Sequence, residues 1–176
     1  MSEEQNEMPF RIRPAVEGDV AFIFSSWLKS YRTSLNVKQV NNTVFFSEHH
    51  KVVEGLLKTA NTYVICPAKD PASICGYICA EQVDGIFVLH YIYVKHTFRT
   101  LGIGKLLLNK FDHDPDMAGV CTHMTRIGEK LSDKYGFLYN PYVALTPEYE
   151  QKRKQSLEAH VNREAEAARE AIKSEE

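Results

Sequence analysis

The chain has 176 residues, enough for one domain with a full core and short for two. With 44% hydrophobic and 25% charged residues it has the balance of a water-facing globular fold, and a net charge of −2 without a long run of Lys or Arg argues against nucleic acid as the main partner. No stretch is apolar over membrane length and no signal peptide is visible, so neither a membrane partner nor export is expected. Cys66, Cys75, Cys79 and Cys121 form no Cys-x-x-Cys pair and sit mostly in apolar runs, so reduced, buried thiols in a cytoplasmic protein are expected.

Residues 1 to 9 are polar and acidic and read as a mobile end. Phe10 to Arg13 alternates as a first strand, which Pro14 breaks. Val20, Ile23, Phe24, Trp27, Leu28 and Tyr31 recur at helical spacing, with Glu17 or Asp19 placed to favour the N-terminus. A polar loop runs from Thr33 to Thr43. Ser47 is placed to cap a second helix, with Val52, Val53, Leu56 and Leu57 as its stripe. Thr62 to Cys66 and Ile74 to Val83 read as strands, and Asp84-Gly85 is a hairpin signal into Ile86 to Val94. Ile103 to Leu108 leads a helix, and Asp112 to Asp116 is an Asp-rich loop. Val120 to Thr125 is a short strand, and a helix from Arg126 to Tyr135 ends at Gly136. Phe137 to Leu145 is one more strand or a tight hairpin.

From Thr146 the composition shifts to Glu, Ala, Arg and Lys, strong helix formers behind a Thr146-Pro147 start. Leu157, Val161, Ala165, Ala168 and Ile172 make a thin apolar seam. Such a helix needs docking on the domain or on a second chain. Three segments follow: a mobile end over 1–9, a domain over 10–145 and a charged helical extension over 146–176.

The stretch that organises the rest is Val88 to Leu108. A β-branched and aromatic strand leads into Arg99-Thr100-Leu101-Gly102-Ile103-Gly104, a tight turn opening a helix. Glycine permits positive φ and lets a ligand approach the backbone, while free amides and the Arg99 guanidinium suit phosphate oxygens. The Walker pattern fails at Leu106, which lacks the hydroxyl, and the dinucleotide fingerprint fails at Leu107, where a third glycine would stand.

What the turn matches is the acyl-CoA motif Arg/Gln-x-x-Gly-x-Gly/Ala, with Val94, Phe98, Arg99, Gly102 and Gly104 in register. On those residues the chain resembles the GNAT N-acyltransferases over residues 10 to 145. The resemblance implies an α/β (α+β) fold: a mixed, mostly antiparallel sheet of six to seven strands, with splayed fourth and fifth strands and about four flanking helices. It implies acetyl-CoA as acyl donor, held by the backbone of Tyr93 and Val94, by Arg99, Thr100, Leu101, Gly102, Ile103, Gly104 and Lys105, and by Thr125. It also implies direct transfer to a primary amine, a small molecule or a protein lysine or N-terminus, in a ternary complex without metal. The opening residues IRPAVEGDVAFIFSSWLKSYRTS further resemble a GNAT-like group often encoded by bacteriophages, which would place the protein in a host cytoplasm.

Acyl transfer needs a base for the amine, donors for the developing oxyanion and an acid for the thiolate. His90, four residues before Val94, is the base candidate, since an imidazole of pKa about 6.5 accepts protons near neutrality. Strict alternation also allows a core histidine sharing a face with Val88, Ile92 and Val94. Glu81 is the second candidate. The family's usual Asn, Ala and Tyr positions carry Thr125, Gly128 and Ser132. Ser132 is a poor acid, and Tyr135, one turn on, is the phenol that could replace it. Tyr31 and Arg32 are candidates for the acceptor pocket wall. This departure at the acid position keeps open an alternative: a weak or inactive GNAT-fold module that binds CoA or a partner. The C-terminal helix is separately a candidate contact for a homodimer or another partner. His49-His50, and His113 among Asp112, Asp114 and Asp116, lack metal-ligand spacing, and no metal is expected. Cys121 would be reactive only with a lowered pKa.

Overall fold

The computed structural model describes residues 9–111 and 119–173. The Asp112, His113, Asp114 and Asp116 cluster and the first eight residues lie outside them. Strand β1 spans Phe10–Pro14 and helix α1 spans Glu17–Arg32. Asp19 ties the two together. Its carboxylate accepts from the Val16 amide at 2.8 Å and takes a two-pronged bond from Arg13 at 2.6 and 3.0 Å. Helix α1 buries Ile23, Trp27 and Tyr31, one side chain per turn.

Helix α2, Asn42–Thr59, starts six residues earlier than a cap at Ser47 would place it. Asn41 is the cap, its Oδ1 accepting from the Thr43 amide at 2.9 Å. The helix buries Phe45, Val53 and Leu56, whereas Val52 is exposed. Strands β2 (Asn61–Pro67), β3 (Gly76–Val83) and β4 (Ile86–Val94) follow. Asp84 and Gly85 both take positive φ in the β3–β4 turn, the left-handed pair that a two-residue hairpin needs.

After a single turn at His96–Phe98 come α3 (Ile103–Asn109), β5 (Gly119–Cys121) and α4 (Arg126–Tyr135). Thr125 caps α4 through the Gly128 amide at 2.9 Å, and Gly136 ends it at φ 69°. Strand β6 is only Phe137–Tyr139, and the long helix α5 is Pro147–Lys173. Among the described residues no helix is long and apolar enough to cross a membrane.

The sheet has six strands in the order β1-β2-β3-β4-β5-β6, the first four antiparallel and the last two added parallel. It is the mixed, mostly antiparallel sheet expected. Side-chain alternation gives it two apolar faces. One packs Tyr77, Cys79 and Tyr91 against Ile23 and Trp27 of α1 and Val53 of α2. The other packs Ile65, Ile78, Phe87 and Leu89 against Ile103, Leu107 and Leu108 of α3. A third, small cluster seats Tyr149 of α5 on Val83 and Val88. Of the seam predicted on α5, Leu157 and Val161 are exposed.

Candidate active site

The site begins with one extra residue in β4. Cys79 of β3 pairs with Tyr91, but the next residue, Ala80, pairs with Leu89, so His90 is a bulge. Below it, β4 runs beside β5 for three residues, Phe87 to Leu89 against Gly119 to Cys121, and the Thr122 amide closes the pairing on the Leu89 carbonyl at 3.0 Å. Above it the two strands part.

The bulge also decides which backbone groups face the gap. The Lys95 amide donates to the Cys75 carbonyl at 2.8 Å. In an antiparallel ladder bonded pairs alternate, so Tyr93 and Tyr91 are bonded to β3 as well. The amides and carbonyls of Ile92 and Val94 therefore turn to the open edge. The sequence reading had Tyr93 and Val94 there. Without the bulge the odd-numbered residues would face β5, as Leu89 does; the inserted His90 reverses the order. It also breaks the strict alternation read from the sequence, for Ile92 and Val94 pack on the α3 face while His90 meets Glu81 and Thr122.

The gap is a cavity of about 690 Å³. Its floor is Tyr91 to Val94, its far wall is Thr125, Arg126 and Glu129 at the start of α4, and its near wall is Ser30, Thr33, Ser34, Leu35 and Lys38. Arg99 and Gly104 close one end. Gly102 holds φ 72°, a left-handed conformation that turns the chain into α3. A Cβ built on Gly104 would meet nothing within 4 Å, so the backbone there borders open space. The first amides of α3 have no acceptor in their own helix. Arg99 folds back, its Nε donating to the Val94 carbonyl at 3.1 Å. Lys38, Arg99 and Arg126 outnumber Glu129 in the lining, so the cavity favours anions. Ile103 is buried and anchors the turn, while Thr100, Leu101 and Lys105 are exposed on its outer side.

The base and acid candidates are elsewhere. His90 is wholly buried, with Nε2 2.7 Å from Glu81 Oε1 and Nδ1 3.1 Å from Thr122 Oγ1. Glu81 is no exposed strand end: the Tyr149 hydroxyl donates to it at 2.8 Å, and Arg153 donates to its two oxygens at 2.7 and 2.9 Å. Burial opposes its charge, but the bonds from His90, Arg153 and Tyr149 outweigh that and hold the carboxyl down to about 2. The Ser132 hydroxyl donates to the Phe137 carbonyl, and Tyr135 stacks on the Phe137 ring. None of these four residues lines the cavity.

Tyr31 is buried, stacked on His49. Arg32 staples the α1–α2 connection, donating to Asn42 Oδ1 and to the carbonyls of Val37 and Val40 at 2.7 to 2.8 Å. The near wall is thus built by their neighbours, which Arg32 holds in place. His50 stacks on Phe24 and His49 on Phe45. Burial raises the Cys121 thiol, which keeps it protonated and unreactive. Sequence reasoning missed Ser30, Lys38, Arg126 and Glu129 on the walls and Thr122, Tyr149 and Arg153 around His90. Only the polar stretch after Tyr31 carried a local signal for any of them.

The profile of the acetyltransferase (GNAT) family matches residues 22–114. A comparison with curated proteins returns no match. Among solved structures, a GCN5-related N-acetyltransferase from Ralstonia eutropha JMP134 is 14% identical, with a TM-score of 0.50 over 73% of this chain and 92% of that one. An acetyltransferase of the GNAT family from Staphylococcus aureus Mu50 is 17% identical, with a TM-score of 0.41 over 57% of this chain and 62% of that one. A GNAT family acetyltransferase from Brucella melitensis in complex with acetyl-CoA is 18% identical, with a TM-score of 0.42 over 57% of this chain and 64% of that one. The chain spans less than two thirds of the length of these last two proteins. At such identities the likeness is one of fold.

Proposed function

The chain belongs to the GNAT acetyltransferase family, and on that premise we propose that it moves an acetyl group from acetyl-CoA to a primary amine by direct transfer in a ternary complex. The observation that carries this reading is the open edge of β4 above the His90 bulge, where backbone groups of Ile92 and Val94 border a cavity of about 690 Å³ that ends at the Arg99–Gly104 turn. Unpaired strand-edge groups need a partner, and an extended chain of amides laid along β4 supplies one. The residues present fit the cofactor: the turn's amides, Arg99 and the open space at Gly104 suit a diphosphate, and Lys38 and Arg126 add positive charge.

When bound, acetyl-CoA supplies an acyl carbon activated as a thioester. The Ile92 amide, which turns to the open edge, would donate to the carbonyl oxygen as charge develops there. Ser30 on the near wall and Tyr91 on the floor, bonded to each other at 2.6 Å, would offer hydroxyls to an incoming amine. The three-residue β6 leaves the acceptor side open, which suits a lysine or N-terminus of a protein better than an enclosed small amine. Four buried free thiols suit a reducing compartment such as the cytoplasm.

A second reading, a CoA-binding module with little turnover, is favoured by the engagement of Ser132 with Phe137 and of Tyr135 with the core, which leaves no phenol at the expected acid position. Calorimetric titration with acetyl-CoA, with Arg99→Ala and Gly102→Trp as controls, tests the binding premise. Thiol release against a panel of primary amines and peptides then separates the two readings. Binding without release supports the module, and no binding in the parent protein refutes both.

A further inference from the structure

We propose that Glu81, His90, Thr122 and His123 form a proton relay that takes up the proton of the acceptor amine, with Tyr149 and Arg153 of α5 as its positioning residues. The relay rests on the acetyl-transfer reading above, since it serves the amine of that reaction. Its contacts are unbroken: Glu81 Oε1 to His90 Nε2 at 2.7 Å, His90 Nδ1 to Thr122 Oγ1 at 3.1 Å, and Thr122 Oγ1 to His123 Nδ1 at 2.8 Å.

Hydrogen-bond accounting allows two complete arrangements of this chain. A carboxylate at Glu81 requires N–H at His90 Nε2. In the first arrangement His123 Nδ1–H donates to Thr122, whose hydroxyl donates to His90 Nδ1. In the second, His90 Nδ1–H donates to Thr122, whose hydroxyl donates to His123 Nδ1, and His123 carries its proton on Nε2. One proton added at His123 Nε2 converts the first into the second: three bonds to hydrogen form (at His123 Nε2, Thr122 Oγ and His90 Nδ1) and two break (at His123 Nδ1 and Thr122 Oγ). His123 ends neutral, and the new charge appears on His90 beside Glu81.

His123 sits among Trp27, Tyr31, His49 and Tyr91, with its ring 4.9 Å from that of Tyr31 and 5.0 Å from that of His49. The Nε2 of His49 is buried without a hydrogen-bond partner among the described residues, a polar atom that awaits one. A small cavity of about 20 Å³, room for one water, is bounded by His123 together with Tyr91, Ile92 and Thr125, which also line the large cleft. The relay requires one water in this small cavity, bonded to His123 and, past Tyr91, Ile92 and Thr125, to an ammonium in the cleft. The proton it gives up frees the nitrogen lone pair to attack the thioester carbonyl. As the C–S bond breaks, the remaining nitrogen proton goes to the departing thiolate, and the relay returns its proton to solvent by the same path.

The groups facing the relay are Tyr31 from α1, His49 from α2, Cys79 from β3, Tyr91 from β4, and Tyr149 and Arg153 from α5. Burial pushes His49 down to about 4 and also lowers His123, so both rings are neutral at pH 7. Arg153 is the fixed cation among these groups. It and His90 bond the same oxygen, Glu81 Oε1, so the carboxylate is held between the ring and α5.

The test uses the full-length protein with ¹⁵N-labelled histidine, its imidazole nitrogens followed by NMR over pH. His123 is expected to switch from Nδ1–H to Nε2–H as His90 gains its second proton. Thr122→Val keeps size and the backbone bond to Leu89 but removes the hydroxyl; it should uncouple the two rings, and Thr122→Ser should restore them. In thiol release with the best amine of the panel, Thr122→Val should lower kcat/KM about 100-fold near neutrality with the affinity for acetyl-CoA unchanged. Arg153→Met should lower kcat/KM with the affinity for acetyl-CoA unchanged, and Arg153→Lys should restore part of it. Uncoupled rings in the parent protein, or turnover that Thr122→Val leaves intact, refute the relay while acetyl transfer stands. Coupled rings in a protein that never releases thiol refute the acetyl-transfer reading, and the relay's role falls with it.

Discussion

Gly104→Leu separates the binding site from the fold. Gly104 is the second residue of α3, its φ is not positive, and a Cβ there has no neighbour within 4 Å. The folded chain therefore accepts a side chain at this position without strain. Replacing glycine in a helix gains about 0.5 kcal/mol near a helix start, part of the ~1 kcal/mol an interior position yields. The isobutyl group would project into the space at the Arg99 end of the cleft, where the diphosphate is proposed to rest on backbone amides. Losing two charge-assisted bonds at about 1.5 kcal/mol each predicts a loss of acetyl-CoA affinity of about 100-fold or more. Paired thermal melts and calorimetric titrations measure both numbers. A melting temperature equal to or above the parent's, with binding lost, is the expected result. Unchanged affinity would mean that no diphosphate lies at Gly104, and a drop of more than 5 °C would mean that its surroundings are not open. Gly102→Leu is the contrast, since φ 72° costs a side chain about 1 kcal/mol or more and should lower the melting temperature.

The Glu81 carboxyl, held at about 2 against an unfolded value of 4.5, makes stability acid-sensitive. A depressed carboxyl stabilises fully above the unfolded value and loses that contribution as pH falls toward the folded one; the shift corresponds to about 3 kcal/mol. Urea unfolding at pH 7, 4 and 2.5 should therefore show a steeper acid loss in the parent than in Glu81→Gln, and parallel curves would sink the assignment. Asp19→Asn removes a carboxylate that Arg13 holds below its usual range and that caps α1. It should cost about 1–3 kcal/mol, with Ala at the same position no milder. Contacts from α5 to the domain run through Tyr149, Lys152, Arg153 and Ser156. Ending the chain after Leu157 should thus leave the melting temperature within about 2 °C, whereas ending it at Leu145 should lower it by more than 5 °C. Equal effects from the two truncations would show that the outer part of α5 is packed.

Local signals carried the order of elements and the turn between β4 and α3. Helical spacing marked Ile23, Trp27 and Tyr31, the Asp84-Gly85 pair marked its hairpin, and Arg99, Gly102 and Gly104 marked the anion-facing turn, because each depends on residues a few positions apart. The start of α2 was misread for the same reason: Ser47 and Asn41 are both acceptable caps, and the Arg32 bonds to Asn42 and to the Val37 and Val40 carbonyls favour the earlier one. Glu81 gave no sign of its role, since its partners His90, Tyr149 and Arg153 lie 9, 68 and 72 residues away.

By itself, then, the sequence determined which segments are strands and helices and that the stretch from Val88 to Leu108 turns through glycines from a strand into a helix, because backbone propensity and glycine freedom act over one or two turns. Tertiary structure alone decided that the backbone amides and carbonyls of Ile92 and Val94, rather than those of Tyr93, turn to the cleft. It also decided that His90 is enclosed by β3, β5 and α5. A bulge exists only relative to the strand it is paired with, and a buried charge finds its partners only once distant elements have packed around it.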